Sequence, residues 1–77
     1  MKFYIDTIEQ IKGEEEGTCT EYGKRESVAD ESSAMTKFYK KLSDVSASTA
    51  HVYMDIKIVN SLGGIIKKDS IGTYIDE

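Results

Sequence analysis

Between His51 and Ile66 the chain reads HVYMDIKIVNSLGGII, and no other stretch limits its fold so strongly. Val52, Met54, Ile56 and Ile58 alternate with Tyr53, Asp55 and Lys57. Extended backbone there has one apolar face and one wet face, the pattern of a half-buried strand. The run ends in Asn60-Ser61-Leu62-Gly63-Gly64, where two glycines can take the positive φ of a tight reversal. Ile65-Ile66-Lys67-Lys68 follows at once as a second β-prone run. The expected result is a β-hairpin.

The preceding residues supply the elements that must pack on it. Lys2 to Ile11, KFYIDTIEQI, reads as a strand with Phe3 and Ile5 on one face and Tyr4, Asp6 and Ile8 on the other. Its alternation weakens towards the end, where a bulge is expected. Lys12 to Gly17 is a turn, and Thr18 to Tyr22 is a short polar return arm suited to a sheet edge. Gly23 to Glu26 leads into a helix with Ser27 as the expected N-cap and Asp30 as its capping-box partner. Asp30 and Glu31 fall in the first turns and Lys37, Lys40 and Lys41 in the last, as the helix dipole favours. Val28, Met35, Phe38, Leu42 and Val45 form an apolar stripe flanked by Ala34 and Tyr39. The helix is expected to end near Asp44, with Ser46 to Thr49 as the connection. Asp69 to Ile75 either continues the last strand past a kink at Gly72 or forms an ordered tail.

The order ββαββ predicts a single α+β domain over residues 1–77. If the first strand runs up, the second runs down and the helix up, so the third strand comes down beside the first. The four-stranded antiparallel sheet then has order 2-1-3-4, with the helix packed on one face. No element is left for the other face, which carries Tyr4, Asp6, Ile8, Tyr53, Asp55 and Lys57. Tyr4, Ile8 and Tyr53 mark it as a candidate interface, for a partner or for a homodimer or higher oligomer.

Charge narrows the partner. The net charge is -4, and residues 1–36 hold nine acids against four bases while residues 37–77 hold five against six. Nucleic-acid binding draws on a basic field, which is lacking, so direct contact with nucleic acid is not expected. Glu14, Glu15, Glu16, Glu21, Asp30 and Glu31 are the candidate partner-binding residues, suited to a basic protein surface. Their other role is solubility alone. Cys19 is the one cysteine, so no intrachain disulfide forms, which fits a reducing cytoplasm. MKFYIDTIEQ lacks the apolar core of a signal peptide, and no apolar run approaches the ~20 residues of a membrane span. A cytoplasmic protein with no membrane partner is expected.

Reactive groups are sparse. His51 is the one histidine and has no nearby Cys or acid at ligand spacing, so no metal is expected and a surface or interface role is favoured over catalysis. Cys19 stands beside threonines and Glu21, which would not lower a thiol pKa. Glu14-Glu15-Glu16 lacks the spaced oxygen ligands of a calcium loop. Gly63-Gly64 precedes no helix, and no serine sits in a G-x-S-x-G context. No catalytic residue, no cofactor and no enzymatic activity are expected.

Tyr4-Ile5-Asp6-Thr7-Ile8, the Glu21-Tyr22 return strand, Phe38-Tyr39-Lys40-Lys41-Leu42 and the Val52-to-Ile65 hairpin together resemble a loose group of small phage and prophage proteins of Firmicutes. The likeness spans residues 3–69, rests on structural motifs and carries over no activity or site residue. The Glu14–Glu16 turn and the Ser-rich loop after the helix depart from the group. The resemblance implies a phage setting, where small proteins without catalysis act by binding. The leading expectation is an inhibitor of a host protein, a counter-defence or anti-CRISPR-like factor acting through its acidic surface. A second is a homo-oligomeric binder that sequesters a nucleotide immune signal, using Tyr4, Tyr53, His51, Lys67 and Lys68. A third is a structural or accessory phage protein.

Overall fold

The computed structural model describes residues 2–75. Strand β1 (Phe3–Lys12) and strand β2 (Cys19–Val28) form the first hairpin, helix α1 (Glu31–Ser46) follows, and β3 (His51–Asn60) and β4 (Ile65–Gly72) form the second. The sheet is antiparallel throughout, in the order β2-β1-β3-β4, with the helix on one face. This is the α+β arrangement expected from the sequence. Among the described residues no helix is long and apolar enough to cross a membrane.

The alternation of the central strands decides what faces the helix. Ile5 of β1 lies opposite Ile58 of β3, and Glu9 lies opposite Met54. Ile5, Met54, Ile56 and Ile58 join Ala34, Phe38 and Val45 of α1 in one buried cluster. Phe38 is wholly enclosed, and a Phe→Ala change at such a site typically costs about 3–5 kcal/mol. Tyr39 packs edge-on against Phe38 and stays largely exposed.

Three boundaries differ from expectation. Strand β2 does not stop at Tyr22 but runs through Gly23-Lys24-Arg25-Glu26 to Val28, paired with β1 along its full length. These residues have little intrinsic preference for strand, so cross-strand pairing outweighs propensity. Val28 therefore lies opposite Phe3 on the sheet and not on the helix stripe. With Ser27 inside β2, the N-cap is Asp30, whose carboxylate accepts a 2.7 Å bond from the Ser33 N–H. The helix also continues to Ser46, which leaves its last turn without a basic residue.

The second hairpin turns through Gly63 at φ 89°, and β1 bulges against β3 between Gln10 and Ile11 as anticipated. Gly72 closes β4 at φ 80°, and residues 73–75 leave the sheet there. A Cβ on Gly72 would also collide with the Val52 carbonyl oxygen, so glycine is required twice over. Gly72→Ala is expected to destabilise the fold by about 1–3 kcal/mol, read from the urea midpoint. Gly23→Ala, whose Cβ would meet nothing nearer than 3.5 Å, should leave that midpoint almost unchanged.

Candidate binding face on the open side of the sheet

The helix-free face is laid out by the same period of two. Along β1 it carries Tyr4, Asp6, Ile8 and Gln10, and the register sets Arg25 and Lys57 on either side of Asp6. Gly23 and Asp55 flank Ile8 in the same way. Because Gly23 has no side chain, the face is notched there. Asp6, Ile8, Gly23, Arg25, Asp55 and Lys57 line a concavity of ≈ 390 Å³, with Ile8 44 % exposed. Ile8 is thus an exposed apolar centre ringed by two cations and two carboxylates.

The ring is held in place. Arg25 grips Asp6 through two hydrogen bonds, Nε to Oδ1 at 2.6 Å and a second nitrogen to Oδ2 at 2.7 Å. The guanidinium also stands 4.9 Å from the centre of the Tyr4 ring, which adds a cation–π contact. Those hydrogen bonds hold the Asp6 carboxyl below its ordinary value of 3.8, against the opposing effect of burial and with help from Lys57. At the other end of the face, burial and then the Asp55 and Glu21 carboxylates push the Tyr53 hydroxyl above 10.0, so it stays protonated.

The face is not wholly bare, contrary to expectation. Residues 73–75 cross it at the end near the β1–β2 turn. Tyr74 packs edge-on against Tyr53, its hydroxyl donates to Glu21, and Ile75 bonds to the Gln10 side chain. Tyr4, Ile8 and Tyr53 do share this face, with Tyr53 partly covered.

The six carboxylates are not one patch. Glu14, Glu15 and Glu16 occupy the exposed β1–β2 turn, and Glu21 lies at the same end of β2. Asp30 and Glu31 begin the helix beside Phe3, at the other end of a ten-residue strand, about 30 Å away. Asp30 is also occupied in capping. Among the described residues no cation pairs with Glu14, Glu15 or Glu16, so their charge faces solvent.

His51 has partners that sequence spacing hides. Its Nε2 lies 3.1 Å from Glu9 Oε1 and its Nδ1 2.9 Å from Ser48 Oγ, while Lys41 Nζ stands 3.0 Å from the same Glu9 oxygen. Glu9 is 5 % exposed, and two donors compensate its buried charge. This chain ties the loop after α1 back to β1. Lys67 lies over the Phe38 and Tyr39 rings, whereas Lys68 is opposite Lys57 on the open face. Within one chain, then, Tyr4, Tyr53, His51, Lys67 and Lys68 do not converge. A second concavity, of ≈ 300 Å³, lies between α1 and β2, but Lys37 and Lys41 in its wall are already paired with Glu26 and Glu9. Among the described residues no group of three or more His, Cys, Asp or Glu side chains is placed to hold a metal ion.

Sequence reading missed Arg25, Gln10 and Tyr74. Gln10 continues the 4, 6, 8 alternation by one step and could have been found that way, while Arg25 required the true length of β2. Compared with family models, curated proteins and solved structures, the chain matches none.

Because Asp6 ionises more readily folded than unfolded, its stabilising effect is complete above 3.8 and fades as pH falls through the lower folded value. Asp6→Asn is therefore expected to lower the melting temperature slightly at neutral pH. The difference from the native chain should close in strong acid and shrink in high salt. Thermal melts across that range check it.

Proposed function

We propose that this protein is a binding protein without catalytic activity that docks on a basic surface of another protein. The contact is made by the open sheet face and the acidic β1–β2 turn beside it. In the phage setting suggested by the sequence resemblance, the partner is a host protein and the effect is inhibition by occlusion, as in counter-defence. The observation that carries this reading is the ring of Asp6, Arg25, Asp55 and Lys57 around an exposed Ile8, on a face that no helix covers.

Charge chooses the partner class. Glu14, Glu15, Glu16 and Glu21 stand at one end of that face, which favours encounter with a cationic surface and speeds association. The face itself sets Arg25, Lys57 and Lys68 against Asp6, Asp55 and Glu21, so its charges balance and it offers little to a phosphate backbone. Asp30 and Glu31 lie too far off to share the contact. A dimer formed through the same face is the competing use of these residues.

The test compares retention of proteins from an extract of a Firmicute host by the full chain and three variants. Ile8→Asp and the triple reversal of Glu14, Glu15 and Glu16 to Lys should each abolish retention of the same protein, while Glu31→Lys should keep it. Equal retention by all variants would refute the proposal. A light-scattering mass of two chains that Ile8→Asp reduces to one, with nothing retained, would assign the face to self-association.

A further inference from the structure

Gln10 is 1 % exposed, although it lies on the face that carries no helix. Its cover is the chain's own segment after β4, and the mode of contact is informative. Gln10 Nε2 donates to the Ile75 carbonyl oxygen at 2.8 Å, and Gln10 Oε1 accepts from the Ile75 N–H at 2.9 Å. A single side-chain amide thus satisfies the N–H and the C=O of one residue, as a neighbouring strand would. Leaving that buried amide without its partners would be costly, so the position selects for extended main chain.

Two further side chains read what the segment carries. Tyr53 of β3 meets the Tyr74 ring edge-on, with centroids 5.3 Å apart. Glu21 of β2 accepts the Tyr74 hydroxyl at 2.8 Å, a bond that a phenylalanine could not supply. Backbone, ring and hydroxyl are therefore recognised by one residue from each of three strands. The segment itself is only about half covered. Tyr74 and Ile75 remain 46 % and 42 % exposed, and the chain enters the site from Gly72 in the left-handed region.

We propose that Gln10, Tyr53 and Glu21 form a peptide-reading site whose ligand is an extended segment of a partner protein carrying tyrosine followed by an aliphatic residue. Residues 73–75 are the resident occupant and leave when that segment arrives. The inference rests on the reading that the open face docks a protein, and it names the chemistry recognised at one end of it. Tethering gives the resident segment an effective concentration of about millimolar, so a free peptide reaches the intact chain poorly.

The experiment uses the full chain with Tyr74→Ser, which weakens the resident segment and leaves the three reading residues in place. The probe is a dye-labelled, end-capped peptide with the sequence of residues 71–75, Ile-Gly-Thr-Tyr-Ile, followed by fluorescence anisotropy. The Tyr74→Ser chain is expected to bind it at least about tenfold more tightly than the native chain. Adding Gln10→Leu should abolish binding. Glu21→Ala, on an exposed edge strand where folding is not at stake, should erase the preference for this peptide over one with phenylalanine in place of tyrosine. No gain of binding with Tyr74→Ser, or a preference for tyrosine that survives Glu21→Ala, overturns the inference. Because no host protein takes part, such a failure leaves Ile8-dependent retention untouched and sinks the peptide-reading site alone.

Discussion

One helix of sixteen residues has to bury a four-stranded sheet, and the rest of the architecture follows from that shortage. Such a helix is about 24 Å long and 10 Å wide, enough for one face of two or three strands. The chain spends it on β1 and β3, where Ile5, Met54, Ile56 and Ile58 close around Phe38. Strand β2 lies at the margin of that cover and is charged along its length. Its Lys24 and Glu26 border a groove at the helix side, while Arg25 turns to the opposite face and clasps Asp6. The second face of the sheet receives no helix, and its polar and aromatic side chains order one another instead.

That division explains which features could be read in advance. The β3–β4 hairpin was legible because alternation, two glycines and β-branched residues agree over one short window. The sheet order followed from the direction of each element. The length of β2 was not legible, since Gly23-Lys24-Arg25-Glu26 carries no local strand signal and is held by partners on β1 and α1. Misplacing that boundary moved the expected N-cap from Asp30 to Ser27 and put Val28 on the wrong element.

The candidate site was half legible for a related reason. Tyr4, Ile8 and Tyr53 share a face because strand periodicity is local. The relation of His51 to Glu9, 42 residues away, and of Gln10 to Ile75, 65 residues away, depends on the finished fold. Likewise, six acids that look like one reservoir of charge in the sequence are divided by the antiparallel course of the first hairpin. Four end near the β1–β2 turn and two near the start of the helix.

The β1–β3 ladder joins Phe3 to Asn60, whereas each hairpin closes over a short turn. Bringing together the ends of so long a stretch is entropically the slowest part of assembly, and local hairpins form far sooner. The two hairpins are thus preformed halves, each with little apolar surface to bury alone. Their union creates the core on one side and, in the same event, sets Ile8 between Gly23 and Asp55 and Gln10 beside Tyr53 on the other. The core and the candidate binding face therefore depend on one ladder, and a chain in which it has not formed has neither.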